Sequence, residues 1–145
     1  MKVFNTHVYF HIEGTQFQDY NKSRLLFFDI ETTGLSSRSA YLYLIGAVTW
    51  KDDSWVCTQW FAEDQNEEAE VIRAFLQFAG SFSQYLHFNG DLFDIPFLNE
   101  KCETYHLETS LPSIVSRDLL RMIRPLKKLL GLEALNQRYL EEYFH

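Results

Sequence analysis

One segment constrains this chain more than any other. Leu25-Leu26-Phe27-Phe28-Asp29-Ile30 is a nearly continuous apolar run, which predicts a strand buried on both faces. Its end carries two carboxylates, Asp29 and Glu31. Side chains alternate along a strand, so both project from one face. Carboxylates that close repel each other, and burial raises their pKa values. The arrangement makes sense around a divalent cation, and magnesium or manganese prefers such oxygen ligands. The plainer alternative is that Asp29 caps the next segment and Glu31 faces water. Thr32-Thr33-Gly34 then predicts a sharp exit from the strand with exposed backbone N–H groups.

The rest of the chain supplies a sheet and helices. Residues 2–12 alternate in part, with Val8, Phe10 and Ile12 set against His7, Tyr9 and His11. They predict a strand ending at Glu13-Gly14-Thr15. Residues 15–24 read as a polar connection. Tyr41 to Trp50 and Trp55 to Phe61 predict two strands, joined as a hairpin at Lys51-Asp52-Asp53-Ser54. Val71, Phe75 and Phe78, widened by Ile72 and Leu76, predict a helix over 67–78. Tyr85 to Phe88 predicts a short strand, and Asp94 to Tyr105 a helix with Pro96 in its first turn. Ile114 to Asp118 predicts a last strand. Leu119 to Leu130 reads as mostly helical with a break at Pro125, and Leu132 to Phe144 as a further helix. This order is that of a mixed α/β sheet with helices packed on it.

Charge and composition exclude some classes. Acidic residues outnumber basic ones by 20 to 13, a net charge of −7, which argues against holding nucleic acid through bulk positive charge. An enzyme whose acids hold metal ions that then meet phosphates is not excluded. Cys57 and Cys102 cannot build a disulfide scaffold, which favours the cytoplasm. No signal-peptide run opens the chain and no stretch approaches a membrane span, so no membrane partner is expected. Aromatics make up 17%, enough for a large core and for an apolar contact surface such as a homodimer would use. Trp50, Trp55 and Trp60 read as sheet and core residues. His7 and His11 share one strand face, taken as exposed. Arg117, Arg121, Arg124, Lys127 and Lys128 put five basic residues into twelve positions. They read equally as a phosphate-tracking surface and as a solvated helix face.

Phe28-Asp29-Ile30-Glu31-Thr32-Thr33-Gly34-Leu35 resembles the first motif of the DnaQ-like, or DEDD, 3′–5′ exonucleases, which have a ribonuclease H-like fold. Residues 88–98, Phe-Asn-Gly-Asp-Leu-Phe-Asp-Ile-Pro-Phe-Leu, are similar to the second motif, with Asp94 as the matching carboxylate. Taken alone, Asp94 would read as a helix N-cap. Residues 116–121 and 124–132 resemble the bacterial YprB-like branch, and Tyr43-Leu44-Ile45-Gly46 fits its second strand. The resemblance spans residues 25–144. It divides the chain into an N-terminal strand or arm, 1–24, and a ribonuclease H-like exonuclease domain, 25–145.

The resemblance implies a mixed sheet of about five strands, three antiparallel and then parallel, flanked by helices. It implies two divalent cations, Mg²⁺ or Mn²⁺, held by four carboxylates. Asp29 would bridge both, Glu31 would bind the one that activates water, and Asp94 would help hold the other. Asp29, Glu31 and Asp94 are thus the catalytic and metal-binding candidates. The implied substrate is the 3′ end of single-stranded DNA or RNA. Thr32, Thr33 and Leu35 match positions that contact the terminal nucleotide, and Asn89 matches a substrate contact. The alternatives are a capped turn with a packed leucine, and an Asn-Gly turn. The third motif, a His or Tyr followed by Asp, is missing. Asp118 is the last Asp, and Tyr139, Tyr143 and His145 after it have no Asp following. Asp118 itself matches a structural position and is set aside as a ligand. The expectation is a domain incomplete at its C-terminus, lacking the motif-bearing helix and impaired when alone. The competing reading is an inactive nucleic-acid-binding or scaffolding domain. Asp29-x-Glu31-x-Thr33 also resembles a haloacid dehalogenase-type phosphatase motif superficially, but departs from it at Glu31.

Overall fold

The structure is a computed structural model and describes residues 1–8, 21–107, 111 and 115–144. The strands are β1 (Lys2–Val8), β2 (Leu25–Thr32), β3 (Leu42–Lys51), β4 (Ser54–Phe61), β5 (Gln84–His87) and β6 (Val115–Asp118). The helices are α1 (Glu68–Ala79), α2 (Asp94–Thr104), α3 (Leu119–Ile123) and α4 (Gln137–Phe144). One six-stranded sheet has the order β1-β4-β3-β2-β5-β6. Pairs β1–β4, β4–β3 and β3–β2 are antiparallel, whereas β2–β5 and β5–β6 are parallel. This is a ribonuclease H-like arrangement. The sheet has six strands rather than about five because β1, expected as part of an arm, adds to the open edge of β4. Residues 9–12 of the predicted first strand, with His11, lie outside the described residues.

Local chemistry explains the elements. The β3–β4 hairpin turns on Asp52 and Asp53, both at positive φ (48° and 57°). That is the backbone twist a two-residue hairpin requires, and Asp tolerates it. Helix α1 lays Val71, Ile72, Phe75 and Leu76 onto the sheet. Phe75 is fully buried and its ring lies 5.2 Å from Phe28 and 5.8 Å from Trp60. Two predicted helices are shorter than their hydrophobic pattern suggested. The first stops at Ile123, gives one 3-10 turn at Arg124–Leu126 around Pro125, and continues as turns. Proline lacks the N–H that an α-helix needs at that point. The second begins only at Gln137, with residues 132–136 non-helical. The Asn136 carboxamide accepts from Tyr139 N–H at 2.9 Å, opening the helix there.

Strand β2 has one wrapped face and one partly open face. Leu26, Phe28 and Ile30 are buried in the core under α1 and α2. The opposite face presents Phe27, Asp29 and Glu31, and here the expectation of burial on both sides is corrected. A groove of about 260 Å³ runs there, walled by Phe27, Asp29, Gly46, Val48, Cys57 and Leu119 among others. The sheet is covered on this side only in part, since α3 is one turn and a half long and α4 is short.

Candidate functional site

Topology brings distant segments to one place. Strands β2, β5 and β6 are parallel neighbours, so their C-terminal ends share one edge of the sheet. That edge is where open α/β sheets bind ligands. β2 delivers Asp29 and Glu31, β5 leads into the Phe88-Asn89-Gly90-Asp91 turn, and β6 ends at Asp118.

Asp94 is the first residue of α2 rather than its N-cap. Its carboxylate crosses to β2 and accepts the Ile30 N–H at 3.1 Å. The Asp94 carboxyl also lies within hydrogen-bonding reach of Asp29. Two acids 65 positions apart thus meet with no basic partner between them among the described residues. The energetics follow. Burial, and then the charge of Asp29, push Asp94 up to about 6. Burial of its carboxyl, and then the charge of Glu31, push Asp29 up as well, although its outer surface opens to solvent. One proton shared between such carboxyls relieves the repulsion, and a divalent cation relieves it more completely. The donor set, hard oxygens on a crowded edge, fits magnesium or manganese. Across the β2–β3 ladder Asp29 faces Gly46. A Cβ at Gly46 would meet nothing within 4 Å, so the space beside Asp29 is open.

The other expected residues take mixed positions. Thr32 Oγ1 donates to Gly34 O at 2.8 Å, and Thr33 Oγ1 accepts from Tyr41 N–H at 3.0 Å. Thr33 N–H donates to Tyr41 O at 2.9 Å. Thr33 therefore closes the neck of the 33–41 loop against Tyr41, while the Thr32 hydroxyl bonds within the loop. Leu35, 87% exposed, projects from that loop. Asn89 sits at φ 62°, the left-handed turn position Asn favours. Its side-chain amide makes no hydrogen bond among the described residues. Asn89 N–H donates to Asp118 Oδ1 at 2.9 Å.

Sequence reasoning missed the hub beneath this turn. Asp118 Oδ1 also accepts from Leu120 N–H (3.0 Å) and Arg121 N–H (3.3 Å), and Oδ2 accepts from Asp91 N–H at 3.4 Å. Asp118 thus caps α3 and pins the Asn89–Asp91 turn at once. Buried His87 accepts Gly90 N–H on Nδ1 at 3.1 Å, so its neutral ring carries the proton on Nε2, 2.7 Å from Ser116 Oγ. Burial holds His87 below its usual value, against the pull of Asp91 and Asp118. Gly90 must be glycine, since a Cβ there would lie 2.6 Å from His87 Nδ1. Ligand atoms of His87, Asp91 and Asp118 all fall within 4.8 Å of one another. A cation among them would have to displace the N–H donors Asp118 already holds. The only early signal was Asn-Gly as a turn; nothing in the sequence says which strand end would hold that turn.

The profile described as RNase_H superfamily (RNase_H_2) matches residues 26–144. The chain belongs to the RNase H superfamily. No curated protein matches it significantly. Among solved structures, this RNase H-like chain is similar to Escherichia coli exonuclease I in complex with a dT13 oligonucleotide, at 14% identity and TM-score 0.60. That likeness covers 82% of this chain and 35% of the exonuclease chain. It is also similar to the family B DNA polymerase of the hyperthermophilic archaeon Pyrobaculum calidifontis, at 20% identity and TM-score 0.57. There it covers 69% of this chain and 16% of the polymerase. At such identities the likeness is one of fold. No helix among the described residues is long and apolar enough to cross a membrane.

Proposed function

We propose that this RNase H-like chain is a metal-dependent 3′–5′ exonuclease domain of the DnaQ-like, DEDD type, resembling the YprB-like branch. Residues 25–145 form the nuclease domain, and 1–24 form an arm whose strand extends the sheet. The observation that carries the reading is the meeting of Asp29 and Asp94 at the sheet's carboxyl edge, with no basic partner among the described residues and both shifted upward. Exonuclease I, similar in fold, supports it.

Asp29, Glu31 and Asp94 would hold Mg²⁺ or Mn²⁺. When bound, divalent cations lower the pKa of an attacking water and stabilise the leaving oxygen of a phosphodiester. The chain's own residues position the strand end. Ile30 N–H orients the Asp94 carboxylate, Leu35 stands ready to pack on a terminal base, and the free Asn89 amide can bond a sugar or phosphate of DNA or RNA. The backbone around Thr32 and Thr33 shapes the entry, although Thr33 N–H is already given to Tyr41.

The test is a cleavage assay on 5′-labelled single-stranded DNA and RNA with Mn²⁺ and with Mg²⁺. Stepwise shortening from the 3′ end, lost in Asp29→Asn and Asp94→Asn, is expected. No cleavage together with metal binding unchanged by either substitution would sink both the reaction and the site. Metal binding without cleavage would instead favour the non-catalytic, nucleic-acid-binding reading. One observation gives that reading weight: Asp118, the last Asp in the sequence, is fully engaged by backbone N–H groups. A homodimer would use exposed apolar surface such as Val3 and Phe4 on β1 (47% and 50% exposed), and light scattering tests it.

A further inference from the structure

A cleft of about 240 Å³ opens next to the carboxylates, between the Asn89–Leu92 turn and α3. Asn89, Asp91 and Leu92 line one wall, and Asp118, Arg121 and Arg124 the other. It lies on the candidate site's side of the sheet: Leu92 lies two residues before Asp94, and the charge of Asp118 is felt at Asp94.

Counting charges and donors shows what the cleft lacks. Asp118 has its oxygens filled by N–H groups. Asp91 Oδ1 accepts from Ser116 Oγ at 3.0 Å and lies 3.4 Å from His87 Nε2. Its Oδ2 stands 3.7 Å from Arg121 Nη1, a loose contact to a side chain 85% exposed. Arg124 is exposed and has no ion pair among the described residues. Both acids are therefore served within the chain, while two guanidinium groups keep most of their donors unused. Beside them Leu92 holds an apolar side chain in water, 73% exposed. Of the five clustered basic residues, these two alone line the cleft. Two forked cations and an apolar lip match a nucleotide: guanidinium binds phosphate oxygens in pairs, and an aliphatic side chain packs on a base face. In a chain of net charge −7, local positive charge favours the approach of nucleic acid.

We propose that this cleft is a backbone-phosphate subsite for single-stranded nucleic acid, in which Arg121 and Arg124 grip a phosphate flanking the one at the carboxylates and Leu92 packs against a base. The subsite rests on the nuclease reading above, and its test separates the two. Fluorescence anisotropy with a labelled oligothymidylate in chelator reads binding without catalysis. Arg121→Gln/Arg124→Gln is expected to weaken binding about tenfold and to flatten the salt dependence by about 0.7 log–log unit, the slope of one phosphate contact on a single strand. Leu92→Ser is expected to weaken binding with the salt slope unchanged. Arg73→Gln, on the exposed side of α1, is the control and should bind as the wild type does. Thermal melts establish that the variants fold, and Arg124→Gln alone serves if the double variant does not. Wild-type binding matched by the arginine variants, in affinity and slope, overturns the subsite and leaves the nuclease reading standing. If wild-type binding is too weak to see but cleavage occurs, a raised KM at unchanged kcat in Arg124→Gln supports the subsite and an unchanged KM overturns it. Absence of both binding and cleavage overturns both.

Discussion

Two clusters of charge lie at opposite ends of helix α2, and they are built differently. At its far end Glu68, fully buried, accepts from Leu42 N–H at 2.7 Å, from Lys101 Nζ at 3.1 Å and from the Tyr105 hydroxyl. Lys101, 4% exposed, also donates to Ala40 O at 2.7 Å. This cluster is neutral overall and ties α1, α2 and the loop after β2 together. Ser37 and Arg38 of that loop add bonds to Glu100 at 2.5 and 3.0 Å. At the near end of α2, Asp94 meets Asp29, which also feels the charge of Glu31, with no cation beside them among the described residues. A buried charge kept for structure comes with its countercharge, because leaving it alone costs several kcal/mol. A carboxylate cluster without one is destabilised until something from outside supplies it. The same helix thus carries a closed electrostatic joint at one end and an open one at the other.

The largest effect should come from breaking the closed joint. Glu68→Ala strands Lys101 in the core and is expected to cost about 3–5 kcal/mol in urea denaturation. Glu68→Leu/Lys101→Met should recover much of that loss; a double variant as unstable as the single one would mean that packing, not charge pairing, dominates. Next comes filling the open joint. Mn²⁺ at about a hundred times its dissociation constant should stabilise the wild type by about 2.7 kcal/mol, seen as a higher Tm. The rise should vanish in Asp29→Asn; an equal rise in the variant would place the metal elsewhere, with the His87–Asp91–Asp118 group as the place to look. Asp118→Ala removes a helix cap and the anchor of the Asn89 turn. A loss of about 2 kcal/mol is expected, with Mn²⁺ affinity weakened through the displaced turn.

The smallest effects are the most pointed, since they should run opposite to the closed joint. Asp94 has a folded value of about 6 against an ordinary 3.8, so without metal the folded state binds its proton more tightly than the unfolded one. Its contribution to stability is present below about pH 4 and is lost as pH rises through about 6. Asp94→Asn keeps an oxygen for Ile30 N–H while removing the charge. It should stabilise the metal-free protein at pH 7 by about 1–2 kcal/mol, after allowance for solvent screening, and flatten its pH 4–6 dependence. A loss of stability would mean that the carboxylate pair is not strained. Removing a charge should therefore harm one end of α2 and help the other.

Much of the fold was readable because its signals are local. The apolar run of β2, the hairpin at Asp52-Asp53 and the 3.6-residue stripe of α1 depend on neighbours in sequence, and each formed close to its expected bounds. The C-terminal helices were overestimated for an equally physical reason: the apolar spacing continues through Pro125 and through 132–136, but the hydrogen-bond ladder does not. β1 joined the sheet because β4 offered an unpaired edge, which no local pattern reveals.

The site divides in the same way. The sequence alone determined which chemistry was available, namely two carboxylates on one strand face, a third opening a helix, and no Asp after Asp118. Alternation and turn preferences act over a few residues, so that much needs no tertiary structure. Only the tertiary structure decided that Asp94 turns from capping its own helix to meet Asp29 across the Ile30 N–H. It also decided that Asp118 is consumed by backbone donors, and that Lys101, 33 residues from Glu68, is its countercharge. Parallel pairing of β2, β5 and β6 sets those distances, and long-range pairing is written in the packing of the whole chain rather than in any one segment.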